Sequence, residues 1–317
     1  MKYFKINRMK KLFTSAILAL LAFTGVAQQD AMFTHYAFNT MSVNPAYAGN
    51  RGVMTTTLLH RSQWVGFDGA PMTQTLTLNA PIFGEHMGIG VSLRNDNIGP
   101  ENAFTGNLDL AYRLKINEKN KLAFGIKGGV TLYNRSITGL AAAESGDYAI
   151  DNASTSDYLF DVGFGLLYTN DKFYLGASVP RVLEQNMTNR NDASDALGAR
   201  EFQHFYFTAG TAIRLSKQVE LKPSTFVKTT IGTPMEVDLT AMFVMNKKLE
   251  LGGMWRSNDA IGILVGYTFK ENFRVGYSFD WSYGNKTFTY NYGSHEVMLR
   301  YDLFYKGNKD IISPRYF

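Results

Sequence analysis

The sequence has no cysteine, only 8 prolines among 317 residues, and a formal net charge of just +5. Without cysteine there is no disulfide scaffold, no lipidated cysteine, no thiolate metal site and no thiol enzyme. The mild charge comes with no long basic run, which excludes nucleic acid as an expected partner. Long apolar runs are also missing. Beyond the N-terminus nothing approaches the roughly 20 residues a membrane-spanning helix needs, so membrane residence has to take the form of a barrel. The 5 histidines (His35, His60, His86, His204 and His295) show no metal-ligand spacing, and neither GxSxG nor GxxxxGK[ST] occurs. Ser294 and His295 are adjacent in a strand-like stretch, where neighbours point to opposite faces, so they make no nucleophile–base pair. No enzyme chemistry, cofactor or metal is expected.

What the chain does have is 23 Phe, 18 Tyr and 29 Gly. Aromatic residues suit strands, and glycines suit strands that are crowded or bent. At the N-terminus the basic MKYFKINRMKK, the apolar LFTSAILALLAFTG and the small-residue GVA read as a secretory signal peptide over residues 1–27.

From Val53 onward period-two alternation dominates. In AFTGNLDLAYRLK, Phe104, Leu108, Leu110, Tyr112 and Leu114 share one face, while Thr105, Asn107, Asp109, Arg113 and Lys115 share the other. FRVGYSFDWS and EVMLRYDLFY repeat the pattern. The strands run about 9 to 12 residues and often end in Tyr, Trp or Phe, the length and girdles of a tilted membrane-spanning strand. Connections alternate between short (APIFGE, INEKN, TNDK, LSKQ, NKK, KEN) and longer ones (RSQWVGFDGAP, NDNIGPEN, Asn134 to Asp157, Arg181 to Gln203, TIGTP, RSNDA, YGNKTFTYNYG).

The expected fold is therefore all-β: an outer-membrane barrel of about 14 antiparallel strands, with short periplasmic turns, longer outer loops and both chain ends periplasmic. The divisions are residues 1–27 signal peptide, 28–52 an N-terminal segment able to act as a periplasmic plug, 53–305 barrel, and 306–317 a periplasmic tail. The polar face carries Arg94, Asp109, Arg113, Lys127, Asp161, Arg214, Asp238, Asp280, Arg300 and Asp302, as a hydrated lining or a salt-bridge network. An inward position such as Asp109 or Ser278 should accept arginine far better than the outward Leu110 or Val275.

The segment QQDAMFTHYAFNTMSVNPAYAGNRG is too short for a domain of its own. Pro45 restricts Asn44, Ala46 and Ala48 allow close backbone approach, Gly49 and Gly52 supply unusual backbone angles, and Tyr47 offers an anchor. This suits a piece of chain tucked into a barrel mouth; a plain surface turn leading into the first strand is the alternative.

Three stretches carry a resemblance: FTHYAFNTMSVNPAYAGNRG, HRSQWVGFDGAPMTQTLTLNAPI and the ending GSHEVMLRYDLFYKGNKDIISPRYF. The sequence resembles the PorP/SprF family of Bacteroidetes outer-membrane proteins along essentially the whole mature chain. That resemblance implies a role in the type IX secretion system, which exports and attaches surface proteins such as gliding adhesins. The implied partners are other type IX components, a secreted surface protein and outer-membrane lipid. The family supplies no catalytic residues. It directs attention to Asn44, Pro45, Tyr47 and Gly49 in the segment, and to Arg61, Gln63, Trp64, Gly66, Phe67 and Asp68 in the first long connection, placed outside the cell by the strand count. Aromatic residues dominate binding hot spots, so Trp64 and Phe67 either anchor a partner or pack on the rim. The competing function is a FadL-like or porin-like transporter of small or hydrophobic solutes.

Overall fold

The computed structural model describes residues 33–84, 86–136, 154–183, 203–230, 233–284 and 291–303. The expected signal peptide, the expected tail at 306–317 and most of the connections at 137–153 and 184–202 lie outside the described residues.

The strands are β1 (Met54–Ser62), β2 (Met72–Ile82), β3 (Met87–Ile98), β4 (Glu101–Lys115), β5 (Lys121–Ser136), β6 (Ser154–Thr169), β7 (Phe173–Val179), β8 (His204–Thr211), β9 (Ile213–Arg214), β10 (Val219–Thr230), β11 (Glu236–Met245), β12 (Leu249–Arg256), β13 (Ala260–Phe269), β14 (Phe273–Ser282) and β15 (Ser294–Leu303). β8 and β9 are one pass interrupted at Ala212, so the wall has fourteen passes. Each pairs antiparallel with its sequence neighbours, and β15 pairs with β1 to close the ring. Following the registers once round returns to β1 displaced by about 14 residues, which gives a tilt of roughly 35° and a radius of roughly 13 Å. About 8 strands enclose only enough space for side chains, so this wall leaves room for more.

Alternation sets the two faces. Leu108, Phe124, Ile126, Phe164, Val265 and Tyr277 are exposed on the outside, while Asp109, Lys127, Ser278, Glu296 and Arg300 are buried within. Exposed aromatics gather near the short-turn end (Tyr112, Phe124, Phe269, Phe273, Tyr301) and near the other end (Phe104, Tyr158, Phe207, Trp255, Trp281). An apolar band between two aromatic girdles is the outer surface of a barrel that sits in lipid.

Two expectations need correction. NDNIGPEN is not a loop: β3 and β4 stay paired up to Ile98 and Glu101, leaving only Gly99–Pro100 as the turn. Its polar residues bond across the strands, Thr73 Oγ1 donating to Asp96 at 2.6 Å and Asn102 Nδ2 to Asn95 at 3.0 Å, so the ladder continues past the apolar band. β4, β5 and β6 consequently reach 15, 16 and 16 residues. Nor is the inner face a forgiving one. Ser278 is 0% exposed, and Asp109 is equally buried with Lys127 at 3.6 Å, because the lumen is filled. Arginine at Ser278 would meet atoms rather than water.

Candidate functional site in the barrel lumen

Residues 33–53 run inside the barrel as three short 3₁₀ turns, Tyr36–Phe38, Thr40–Ser42 and Pro45–Tyr47. The third follows from NPAY. Asn44 is extended, as a residue before proline prefers, and its Oδ1 accepts from the Ala46 amide at 3.0 Å, while Pro45 fills the first position, where an N–H would go unused.

The inner wall makes space for this chain with glycine. A methyl group at Gly125 would lie 2.1 Å from the Ala46 nitrogen, and at Gly88 2.0 Å from the Ala48 oxygen. At Gly165 it would lie 2.1 Å from Asn44 Oδ1, and at Gly90 2.2 Å from Met41 Sδ. Inward glycines on β3, β5 and β6 are therefore a groove cut to the backbone of the segment.

Polar side chains of the wall take up the segment's backbone groups. Asn44 Nδ2 donates to the Leu166 carbonyl at 3.0 Å, Ser178 Oγ to the Val43 carbonyl at 2.8 Å and Lys127 Nζ to the Ser42 carbonyl at 3.2 Å. Arg113 donates to the Ala48 and Gly49 carbonyls at 2.7 and 3.2 Å, and Gly49 N donates to Asn79 Oδ1 at 3.2 Å. Gly49 has φ +65, an angle that glycine adopts at little cost. Tyr47 packs with Met41, Ala46, Ala48, Ala111, Ala123, Leu167 and Tyr174; Phe33, Tyr36 and Val43 pack with Leu59, Tyr206 and Phe226. Tyr36 stacks on Phe226 at 4.1 Å between centroids. Burial pushes the Tyr36 and Tyr47 hydroxyls up, so both stay neutral.

Buried charge clusters hold the two ends. Near the outer loops, Glu296 accepts from the backbone amides of Thr34 and His35 at 2.9 and 2.8 Å and from His35 Nδ1 at 2.5 Å. Arg61 lies 2.8 Å from Asp280 and 3.2 Å from Glu296, and donates to Thr34 Oγ1 at 2.9 Å. Arg256 pairs with Asp238 at 2.9 Å and also donates to the Phe33 carbonyl at 3.3 Å. Near the short turns, Arg51 pairs with Asp302 at 2.7 Å. The segment thus descends from the outer half of the lumen to the periplasmic end, where β1 begins.

The singled-out residues fall into two places. Asn44, Pro45, Tyr47 and Gly49 come together in the lumen, joined by Arg61, which belongs to β1, is 2% exposed and points inward. Its expected place in the outer connection is therefore wrong: the strand runs on to Ser62, and the inward Glu296 and Asp280 hold the guanidinium. Gln63, Trp64, Gly66, Phe67 and Asp68 form the outer rim instead. Gln63 N donates to the Pro71 carbonyl at 2.9 Å and Trp64 N to Ser294 Oγ at 3.3 Å. A methyl at Gly66 would lie 2.7 Å from the Tyr292 ring, while Phe67 is 47% exposed and Asp68 is exposed. Thr34, His35, Arg51 and Glu296 were not foreseen as site residues. Glu296 was visible only as one inward charge among several on β15, and Thr34, His35 and Arg51 as polar residues of the segment; they gain meaning once the segment is known to lie in the lumen.

A closed barrel with an apolar outer belt, two aromatic girdles and a lumen filled by its own N-terminal chain is an integral protein of the outer membrane, crossing it many times. Residues 25–301 match the family described as "Type IX secretion system membrane protein PorP/SprF". The chain belongs to the PorP/SprF family, and with it to the outer-membrane part of type IX secretion rather than to an enzyme family. No curated protein matches significantly. Among solved structures, the CymD monoaromatic hydrocarbon channel is 12% identical, with TM-score 0.50 over 87% of this chain and 95% of its own. The Acinetobacter baumannii outer membrane protein Omp33 is 8% identical, with TM-score 0.47 over 81% of this chain and 100% of its own. A Pseudomonas aeruginosa FadL homologue is 11% identical, with TM-score 0.47 over 85% and 94%. Likeness at these identities concerns the barrel fold alone.

Proposed function

We propose that this protein supports the secretion or cell-surface attachment of a partner protein such as a gliding adhesin, and that residues 33–53 keep its lumen shut while it does so. The observation that carries the reading is the fit of the segment to both halves of the lumen: glycines accommodate its backbone, the Arg51–Asp302 ion pair fixes one end, and hydrogen bonds with Glu296 and Arg61 fix the other. A solute transporter needs a continuous path, and the segment lies along the lumen where that path would run. The rim at Gln63, Trp64, Gly66, Phe67 and Asp68 is the surface offered to the partner, with Phe67 as its apolar contact. Affinity purification of the tagged barrel from its native membrane tests this. Other type IX components and a secreted surface protein should be retained, and Phe67→Ala should weaken retention of the surface protein. Recovery of the barrel with no type IX protein at all would contradict the proposal.

A further inference from the structure

Among the described residues, the periplasmic end of the lumen holds more positive charge than its carboxylates neutralise. Arg274 of β14 and Arg300 of β15 are direct register partners, and both are buried in the lumen. Like charges opposite one another on paired strands repel. Arg274 has Phe38 of the segment beneath its guanidinium at 3.6 Å and is paired with Glu250. Among the described residues Arg300 has Asp302 as its ion-pair partner, at 3.9 Å, and that carboxylate is already held by Arg51 at 2.7 Å. The Nε atoms of Arg274 and Arg300 are both buried without a hydrogen-bond acceptor among the described residues.

Lys222 adds a further cation. It is half-buried on the inner face of β10, lines a cavity with Phe38, Ser224 and Glu250, and has no ion pair or hydrogen bond among the described residues. Glu250, on the wall of the same cavity, is the carboxylate paired with Arg274, which joins Lys222 to the arginine pair. The other nearby carboxylate, Glu220, faces Arg214 at 3.8 Å. Lys222, Arg274, Arg300 and Arg51 lie close to the short turns or to the end of β15, the end of the lumen that opens on the periplasm.

We propose that this cluster is an anion site: a compact oxyanion, of phosphate or carboxylate chemistry, enters from the periplasmic mouth and binds between Lys222, Arg274 and Arg300. Guanidinium groups present a planar fork suited to two oxygens of one anion, and an ammonium group supplies a third contact. The bound anion offsets the Arg274–Arg300 repulsion and ties the wall to Arg51 of the segment. The site stands independently of the secretion reading, since it rests on charges in the lumen and not on the rim.

The test uses the full mature protein in detergent. Binding of radiolabelled inorganic phosphate is measured by equilibrium dialysis at constant ionic strength. Saturable binding of one phosphate per barrel is expected, about tenfold weaker in Arg300→Gln and in Lys222→Gln, and unchanged in Arg135→Gln at the outer end. Displacement by sulfate alone assigns the site to a free anion. Displacement by a short acetylated glutamate peptide at lower concentration assigns it to a carboxylate of a periplasmic protein. Absence of saturable binding to the unaltered barrel overturns the proposal whether or not the variants assemble, and so does equal binding by Arg300→Gln and Lys222→Gln.

Discussion

Gly125→Ala should be costly, although alanine ordinarily improves on glycine within a strand by about 0.5–1 kcal/mol. The added methyl would sit 2.1 Å from the Ala46 nitrogen, 2.4 Å from the Pro45 carbonyl carbon and 2.6 Å from the Ala46 Cα. Ordinary contact needs more than 3 Å, and all three neighbours are backbone, so no side-chain rotation relieves the clash. Either the Pro45–Tyr47 turn shifts by about an ångström or the β5 wall bows outward. Overpacking of this kind costs about 1–3 kcal/mol. A shift of the turn also endangers the Asn44 bond to Leu166 at 3.0 Å, worth about 1 kcal/mol more. The expected loss is about 2–4 kcal/mol. Gly128→Ala is the control: it lies three residues along the same strand, faces outward and has nothing within 4 Å of its added methyl. Urea unfolding of the two purified variants in detergent, followed by heat-modifiable migration, gives the comparison. Gly125→Ala should unfold at distinctly lower urea than the parent, and Gly128→Ala at the same or slightly higher. In a barrel lacking residues 39–49 the two should become alike. If Gly125→Ala is as benign as Gly128→Ala in the complete protein, the segment does not sit where the glycine groove puts it.

Further expectations follow from the same packing. Leu108→Arg and Tyr277→Arg, outward and midway between the two girdles, should each cost about 2–4 kcal/mol and reduce the yield of folded barrel in an assembly assay, and Leu110→Arg and Val275→Arg, one step in from Tyr112 and Phe273, should cost less; wild-type yield for all four would mean the lipid face is assigned to the wrong side. Glu296→Ala leaves Arg61 and the amides of Thr34 and His35 short of their acceptor, and removing one partner of a buried pair costs about 3–5 kcal/mol, read in the same urea titration. Replacing His204 and His295 together with Gln should leave display of a cognate surface protein intact: His204 stacks on Tyr206, and His295 bonds the Tyr277 hydroxyl at 2.7 Å on the outer face, so neither is placed for catalysis. Loss of a hydrolytic activity in that double variant, with the barrel assembled, would contradict this.

The wall was readable in the sequence because a strand facing lipid on one side and polar groups on the other must alternate, and a slip of one residue would invert every position. That is why Leu108 and Asp109, or Tyr277 and Ser278, could be assigned to opposite faces without coordinates. The length of β3 and β4 was not readable. Asn95, Asp96, Asn97, Glu101 and Asn102 carry turn-like composition, and only their cross-strand bonds keep them in the ladder. The lumen was half readable. NPAYAG announced a compact, closely packed piece of chain, but its counterpart, the set of glycines at 88, 90, 125 and 165, is scattered over three strands and becomes a groove only when the barrel closes. Arg61 was misplaced for a similar reason: it adjoins the QWVGFDGAP connection in sequence, while its chemistry is owed to Glu296 and Asp280, more than two hundred residues away.

Ion conductance of single barrels in planar bilayers tests most directly whether residues 33–53 close the lumen. The comparison is between the complete protein and one lacking residues 39–49, reconstituted in equal amounts after both are shown to be heat-modifiable. The complete protein should conduct poorly. The deleted form should conduct far more, as expected for an unobstructed ring of fourteen passes with a radius of roughly 13 Å. Equal conductance of the two assembled barrels, whether both open or both closed, would contradict the account.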